Sequence, residues 1–510
     1  MQRVPLGVSV PTDVDDVCAL VRWAAAERLP IVPRGSGSSM AGGAVGVGLI
    51  VDLSRLNELL PVDSVRRTVS GGAGVPRRLV EHAANAVGLR FPVDPSSGAF
   101  ATIGGMTATN AAGPRTMALG PMRRWVSSID CVFADGSRAT VSRGAAPPRG
   151  VAALDRWLKL ASGVRRAAAA FPPRRVRKES SGYGVHDFAQ TGELVDLFVG
   201  SEGTLALFTK IELHLTEMPA ATASILAAWG SLEQGVAGAA LAREAGASAC
   251  ELLDRTFLEV ARSGGAVQLP LDTECVLLIE LEGDASTGSR AESLARSFDS
   301  VGATSVMLGL DAESEEALWA LRHAASPILA RLDPNLKSMQ LVEDSCVPPD
   351  RLSDYVRGVR NALEASGLRG VIFGHAGDAH VHVNALVDLR DADWDARVRR
   401  LFARVVSLTS ELGGTLAGEH GDGRLRTPSL PRTWSREACA LFAQIKGAFD
   451  PDGVLNPGVI VPVGADDPLT GNKYDPALHP LPIEARTVLT RVERERAYDV
   501  SRLEMLDGHA

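Results

Sequence analysis

The stretch that decides the fold is PRGSGSSMAGG, residues 33–43, a loop rich in glycine and serine. A helix is predicted before it, with Thr12 as N-cap and Asp15 three residues on, and a strand is predicted after it over residues 47–53. Such a loop presents backbone N–H groups and hydroxyls without obstruction by side chains, which suits a diphosphate. Taken alone, the loop is equally compatible with a flexible surface turn.

Two further glycine-rich motifs favour the diphosphate. One is DPSSGAFATIGGMTATNAAG, residues 94–113, and the other is GSEGTL, residues 200–205, between strands predicted at 194–199 and 207–215. None of the three motifs is the G-x-G-x-x-G turn that joins a strand directly to a helix in a Rossmann unit. The pattern therefore indicates a nucleotide held by three separate loops.

These motifs, with FDPDGVLNPG at residues 449–458, resemble the FAD-linked oxidases and dehydrogenases of the vanillyl-alcohol-oxidase type. The resemblance covers residues 8–461 and is closest to the branch of D-lactate, glycolate and D-2-hydroxyglutarate dehydrogenases. It implies an α+β flavoprotein of two domains. These are a PCMH-type FAD-binding domain over residues 1–217 and a C-terminal cap or substrate domain over residues 218–461, followed by a tail over residues 462–510.

The same resemblance implies which residues bind FAD. Members with covalently attached FAD carry a histidine where Ser38 and Ser39 stand, so non-covalent FAD is expected. The implied FAD-binding residues are Arg34, Gly35, Ser36, Gly37, Ser38, Ser39, Pro95, Thr102, Gly104, Gly105, Asn110, Gly113, Glu202, Gly203 and Asn456.

The second half of the chain alternates strand-like and helical stretches without a regular period, which predicts an α+β domain packed on the first. The helical stretches include residues 293–298 and 315–323. The predicted strands cover residues 223–229, 275–281, 304–308, 339–342, 371–373 and 381–387.

Histidines concentrate in FGHAGDAHVHVN, residues 373–384. Residues two apart in a strand share a face, so His380, His382 and Asn384 point the same way, and a turn at Gly377-Asp378 lets His375 face them. A second motif, GEHGDGR at residues 418–424, adds an acid and a histidine. Two histidines and one carboxylate form a ligand set for a catalytic divalent metal, zinc above all, with manganese or iron as alternatives. The other interpretation is a set of core histidines satisfied by local hydrogen bonds.

Matched to the family, His375, His382 and Glu419 fall on the metal ligands and His420 on the catalytic base. His380 replaces a common asparagine, so it is either a hydrogen-bond donor behind the ligands or an added ligand. Arg322 matches the carboxylate-binding arginine, with a surface arginine as the alternative, and Ser326-Pro327 is predicted to begin a new helix. Lys337 is a weaker candidate, and the pair Glu343-Asp344 is interpreted as structural.

The implied enzyme is an FAD-dependent dehydrogenase of a small D-2-hydroxy acid. Arg322 would bind the carboxylate, and the metal would lower the pKa of the α-hydroxyl. His420 would take the hydroxyl proton while the α-hydrogen leaves as hydride to flavin N5. The alternatives are a non-catalytic FAD-binding subunit of a larger redox complex and an oxygen-using oxidase of an alcohol or sugar.

Composition and charge limit the classes of molecule that this chain is expected to bind. The chain has 510 residues and a net charge of −8, which argues against nucleic acid, and the basic run from Arg174 to Lys178 is interpreted as a solvated loop. No stretch has the length and apolarity of a signal peptide or membrane span, so a cytoplasmic protein, soluble or peripheral to the membrane, is expected.

The six cysteines are scattered without a C-x-x-C pair, which is typical of buried thiols in a reducing compartment and offers no ligands for an iron–sulfur cluster. The electron acceptor is therefore expected to be separate: an iron–sulfur protein, a quinone or an electron-transfer flavoprotein. A charged helix predicted over residues 482–504 could dock it, although a solvated helix or an oligomer contact fits that segment equally well.

Overall fold

The computed structural model describes residues 1–263, 269–331, 336–464, 467–475, 478 and 480–495. Helices and strands are mixed in both halves of the chain, so the predicted α+β class is confirmed. Among the described residues, no helix has the length and apolar character needed to cross a membrane.

The N-terminal domain begins with a small parallel sheet, and helix α1 (Val14–Ala26) packs on it. The predicted glycine-rich loop leaves this sheet from a strand of four residues, which the sequence prediction did not include. The sheet has the order β1-β3-β2, with β1 (Gly7–Ser9), β2 (Ile31–Arg34) and β3 (Leu49–Asp52).

Helix α1 is capped one residue later than predicted. Asp13, not Thr12, is the N-cap, and its side chain accepts the N–H of Asp16 at 2.9 Å. Thr12 donates its N–H and its hydroxyl back to the Asp16 carboxylate at 2.9 and 2.7 Å. The pattern is that of a capping box with Asp13 and Asp16 in the places predicted for Thr12 and Asp15, except that the Asp16 carboxylate accepts from Thr12, one residue before the N-cap, and not from the N-cap itself.

A four-stranded antiparallel sheet in the order β4-β8-β6-β7 forms the larger layer of this domain. Its strands are β4 (Thr68–Gly72), β6 (Val126–Val132), β7 (Arg138–Ser142) and β8 (Leu207–His214), while β5 (Leu89–Arg90) pairs with β9 (Thr216–Glu217). The helices are α2 (Arg77–Asn85), α3 (Ile103–Thr109), α4 (Thr116–Leu119), α5 (Ala152–Ala169), α6 (Val185–Thr191) and α7 (Val195–Phe198).

Helix α7 corrects the prediction of a strand over residues 194–199. All four of its residues are buried, Asp196 included. A short apolar run that is buried on every side shows neither the period of a helix nor that of a strand, so periodicity cannot distinguish the two.

The second domain is built on an antiparallel sheet in the order β13-β10-β12-β11-β16-β17-β14, with β15 paired to β17. The strands are β10 (Ala221–Trp229), β11 (Ala249–Asp254), β12 (Cys275–Gly283), β13 (Ala303–Gly309), β14 (Leu336–Met339), β15 (Ser345–Cys346), β16 (Arg369–His375) and β17 (His380–Asp388). Strand β14 ends at the residue where the predicted strand 339–342 was to begin.

Helices cover both faces of this sheet. One face carries α8 (Leu232–Glu244), α10 (Thr287–Ser297), α12 (Leu352–Ala365) and α13 (Trp394–Glu411), and the other carries α9 (Arg255–Ser263) and α11 (Ala312–Arg331). Helix α11 continues through Ser326-Pro327, so the prediction of a new helix there is wrong. Its preceding turns are held on the sheet by Leu318 and Leu321, and that packing outweighs the one backbone bond that a proline removes.

The chain then returns to the N-terminal domain. The remaining helices are α14 (Gly423–Arg426), α15 (Leu430–Thr433), α16 (Arg436–Phe449) and α17 (Ile483–Glu495). Phe449 of α16 stacks on Trp157 of α5 at 5.5 Å, and Leu455 pairs with Ile31 beside the small sheet. Residues 430–460 therefore pack in the first core, although the predicted boundary places them in the second domain. Of the helix predicted at 482–504, residues 496–504 lie outside the described residues.

Candidate active site

A cleft between the three glycine-rich loops contains about 1220 Å³ of empty space, part of it open to solvent. Glu419 and His420 also line the cleft. The predicted FAD-binding residues that line it are Arg34, Gly35, Ser36, Gly37, Ser38, Ser39, Pro95, Thr102, Gly104, Gly105, Glu202 and Gly203.

Glycine is required where the first two loops meet. A Cβ at Gly35 would lie 2.2 Å from the Thr102 hydroxyl. Gly37 has φ +72°, and a Cβ there would lie 2.2 Å from the Arg34 guanidinium, which donates across the loop to the Ala44 carbonyl at 3.0 Å. Glycine at 35 therefore leaves room for Thr102 of the second loop, and glycine at 37 permits the positive φ of the first.

Glu202 joins the third loop to the second histidine motif. Its buried carboxylate accepts the N–H groups of Asp422, at 2.7 Å, and Gly423, at 3.1 Å. Burial, reinforced by the neighbouring Asp422 charge, raises the pKa of Glu202 to about 8. The contact brings residues 419–424 of the second motif to the cleft.

Three predicted FAD-binding residues, Asn110, Gly113 and Asn456, do not line the cleft. Asn456 donates to the carbonyls of Gly43 and Glu202 at 3.0 and 2.7 Å, so it ties the first loop to the third. Asn110 accepts the N–H of Arg123. These residues therefore stabilise the loops without lining the cleft.

The structure brings together the three residues predicted to bind a metal. Nε2 of His375, Nε2 of His382 and Oε1 of Glu419 form a triangle whose sides all measure 3.4 Å. Ligand atoms about 2.1 Å from a tetrahedral metal are separated by roughly 3.4 Å. The triangle therefore has the dimensions of one face of a zinc coordination tetrahedron.

Hydrogen bonds on the opposite side of each imidazole explain why these atoms converge. Nδ1 of His375 bonds the Glu251 carboxylate at 2.5 Å, and Nδ1 of His382 bonds the Glu343 carbonyl at 2.7 Å. Because those partners only accept, both rings carry hydrogen on Nδ1 and direct the Nε2 lone pair at Glu419. Three lone pairs then meet, and such a donor set suits a cation.

The charges around this triangle are consistent with a cation. Burial lowers the pKa of His382, but its bonds to Glu343 and Glu419 outweigh that effect and raise it to about 10. Burial raises the pKa of Glu419, but Lys178 and the nearby histidines hold it well below its usual range. In the absence of a metal, a proton on His382 beside Glu419 therefore takes the place of the cation.

His420 lies between this triangle and the cleft, with 26% of its side chain exposed. Its Nδ1 contacts both carboxylate oxygens of Glu343 at 3.0 and 2.9 Å, and its Nε2 lies 3.6 Å from Glu419 Oε1. Burial lowers its pKa, but Glu343 and Asp344 raise it to about 9. The carboxylate at Nδ1 fixes the ring, so Nε2 is the nitrogen that carries the exchangeable proton and faces Glu419.

The two predicted substrate-binding cations lie farther from the cleft. Arg322 does not line it: its Nε donates to Glu251 at 2.9 Å and its guanidinium covers the Phe373 ring at 4.8 Å. It reaches the triangle through Glu251, which bonds His375. Lys337 pairs with Val387 at the opposite end of β17 from the histidines.

The basic run is not a solvated loop, so that interpretation is wrong. Lys178 is fully buried and donates to Glu419 Oε2 and to the Gly113 carbonyl, both at 3.0 Å. Arg177 binds Asp378 at 3.1 Å, and Arg174 covers the Trp434 ring at 3.9 Å. Of this run, Arg175 alone is largely exposed, at 74% of its side chain. Every cation of the run has a partner from distant sequence, including the exposed Arg175 with Asp350 at 3.4 Å, which composition could not reveal.

The pair Glu343-Asp344, interpreted from the sequence as structural, contacts the candidate site directly. Glu343 orients His420 and His382, and Asp344 accepts the N–H groups of both Glu419 and His420. Arg426 pairs with both acids and neutralises part of their charge. Two adjacent acids after an apolar stretch were the only signal in the sequence.

Lys178 supports a first prediction. Lys178→Met is expected to destabilise the metal-free protein by about 3–5 kcal/mol, because it leaves the buried Glu419 carboxylate without its ammonium partner and removes one of the two cations that face Asp378. Burial lowers the pKa of this lysine, but those two acids raise it above its usual value, so the ammonium is the native form. Urea unfolding in the presence of chelator measures the loss.

The matched control is Arg175→Met, an exposed member of the same run, which should change stability by less than about 0.5 kcal/mol. Equal effects of the two variants would contradict the buried ion pair.

The class of protein follows from comparison with known families. The FAD binding domain model matches residues 5–142, and the model of FAD linked oxidases, C-terminal domain, matches residues 218–460. The chain belongs to this FAD-linked oxidase family, and the resemblance inferred from its motifs is confirmed. FAD is accordingly the cofactor that the N-terminal domain supports.

Individual relatives indicate which branch of the family this chain is similar to. The chain is 30% identical over 465 residues to glycolate oxidase subunit GlcD of Bacillus subtilis (strain 168), covering 90% of this chain and 89% of that protein. It is 30% identical over 455 residues to D-lactate dehydrogenase of Archaeoglobus fulgidus, covering 88% and 90%. The solved structure of 4-ethylphenol oxidase from Gulosibacter chungangensis, 14% identical, covers 89% of both chains with a TM-score of 0.66, which shows a shared fold.

Proposed function

We propose that this chain is an FAD-dependent dehydrogenase that oxidises a small D-2-hydroxy acid to the 2-oxo acid with the help of a divalent metal. The observation that carries the proposal is the 3.4 Å triangle of His375, His382 and Glu419 with His420 beside it at the cleft. The relatives named as glycolate oxidase subunit and D-lactate dehydrogenase support the substrate class.

The residues that would hold the two bound groups lie in different parts of the site. The loops at residues 34–39, 95–105 and 202–203 line the cleft proposed for FAD, and the triangle is proposed for zinc, with manganese or iron as alternatives. The chemistry these groups supply when bound is hydride acceptance and Lewis-acid polarisation of an oxygen. Non-covalent FAD is proposed because Ser38 and Ser39 occupy the loop position of the attaching histidine.

The protein's own contribution is to position groups and move a proton. Nε2 of His420 is proposed to take the proton of the substrate hydroxyl, while Glu343 bonds Nδ1 and stabilises the imidazolium that results. Arg322 is proposed to bind the substrate carboxylate; Glu251 fixes its Nε and so orients the planar guanidinium.

The electrons must then leave the flavin. A separate acceptor is proposed: an iron–sulfur protein, a quinone or an electron-transfer flavoprotein. The relative from Bacillus subtilis is named as a subunit, which supports an acceptor on another chain.

An anaerobic substrate panel tests the proposed function. Small D-2-hydroxy acids are expected to bleach the flavin absorbance of the purified holoprotein, and their L-isomers are not. If dithionite bleaches the flavin but no hydroxy acid does, the non-catalytic subunit is correct. Bleaching by an alcohol or sugar, with rapid reoxidation in air, would instead identify the oxygen-using oxidase.

A further inference from the structure

His380 is placed among the proposed metal ligands rather than behind them. It pairs directly with His375 across β16 and β17, and it shares a face of β17 with His382. Its ring centroid lies 5.3 Å from that of His375 and 4.6 Å from that of His382. Its side chain is fully buried.

The hydrogen bonding of His380 matches that of the two proposed ligands. One ring nitrogen, Nε2, contacts the Asp344 carboxylate at 2.8 Å. Because the carboxylate can only accept, hydrogen sits on Nε2 and the lone pair is on Nδ1. Metal-binding histidines characteristically donate their other ring N–H to a carboxylate or a carbonyl, as His375 and His382 also do here.

Within the part of the chain that the structure describes, the Nδ1 atom of His380 has no hydrogen-bond partner, although it is buried. It lies 3.8 Å from Glu419 Oε2, and one ligand atom from each of His375, His380, His382 and Glu419 falls within 4.8 Å of the others. A buried lone pair without a donor is costly, and a cation among these four atoms would satisfy it.

Resting on the proposed metal at His375, His382 and Glu419, we infer that His380 Nδ1 is an additional ligand and that the site is made of three imidazoles and one carboxylate. A third imidazole makes the donor set richer in nitrogen, which favours zinc or iron over magnesium or manganese. It also leaves fewer positions around the metal for substrate oxygens.

The second acidic group of the region, Glu343, Asp344, His382 and His420, carries no such inference. Arg426 already pairs with both of its carboxylates, and His382 directs its Nε2 at the first group. The side-chain cation occupies the place that a metal would need.

X-ray absorption of the zinc-loaded, FAD-bound full chain tests the inference. The scattering from imidazole rings around the zinc gives the number of histidine ligands. Three imidazoles are expected in the natural protein and two in His380→Gln. Glutamine places an amide nitrogen near the position of Nε2, so it can still donate to Asp344 while it removes Nδ1. Zinc affinity measured by competition with a chelator should fall by at least about 10-fold in this variant, the lower end of what loss of a supporting partner costs.

Each outcome has a separate meaning. Two imidazoles in the natural protein, or an unchanged zinc affinity in His380→Gln, would overturn the inference and make His380 a donor to Asp344 alone. No zinc bound by either protein would instead remove the metal from the proposed function. His82→Gln, an exposed histidine of α2, is the control for the substitution itself and should keep three imidazoles.

Discussion

His420→Ala is expected to lower kcat by about 10²–10⁴-fold, the usual contribution of a general base, while the FAD bound per chain is unchanged. The physical reason is the position of His420: its Nδ1 is held by Glu343, and the ring lines the cleft beside the proposed metal. Steady-state kinetics with an artificial dye and the flavin absorbance of the purified variant measure the two quantities.

A matched control is His214→Ala, an exposed histidine of β8, which should leave kcat unchanged. A less than 10-fold loss in His420→Ala would show that another group accepts the proton. Loss of FAD together with activity would mean that His420 supports the cofactor rather than the chemistry.

Removal of the metal is expected to lower turnover by at least about 100-fold and to leave FAD bound. Lewis-acid stabilisation is worth several kcal/mol, and each ~1.4 kcal/mol is tenfold in rate. The flavin should remain, because the loops proposed to hold it belong to the N-terminal domain while His375 and His382 lie on β16 and β17. Dialysis against chelator, followed by elemental analysis and assay, provides the measurement, and zinc or manganese should restore activity.

Glu419→Ala should reproduce the loss without chelator, and added metal should not rescue it. Dithionite reduction of the flavin serves as the control that the cofactor is intact. Full activity in protein shown by elemental analysis to lack metal would remove His375, His382 and Glu419 from the mechanism.

The sequence was sufficient to predict the parts of the site that depend on local rules. Alternation along a strand placed His380 and His382 on one face, and the turn at Gly377-Asp378 brought His375 opposite them. Glycine and serine in three loops predicted a cleft because those residues leave the backbone exposed. Five strands of the second domain (β10, β12, β13, β16 and β17) were also predicted, since they are apolar runs bounded by turns and, β13 apart, largely buried. Strands β11 and β15 were not predicted, and β14 was predicted three residues too late.

Predictions from local sequence patterns failed in two places. One is a run buried on all sides, and the other is a helix whose continuation depends on packing against the sheet. Within the strand predicted at 194–199, residues 195–198 form a helix, because a run buried on all sides shows no period. Helix α11 passes through Ser326-Pro327 because packing of its earlier turns on the sheet outweighs the local signal for a new start.

Only the tertiary structure decided which charged side chains of the site pair with one another. By itself, the sequence determined the fold class, the three loops and the residues that could bind a metal. Pairing of Lys178 with Glu419, of Glu251 with His375 and of Glu343 with His420 joins residues 241, 124 and 77 positions apart. A buried charge is tolerated only when another lies within a few ångströms. That distance is set by the fold of the second domain for the Glu251 and Glu343 pairs, and by contact between the two domains for Lys178. For this reason Lys178 reads as an ordinary surface cation in the sequence and is a buried partner of the proposed metal site in the fold.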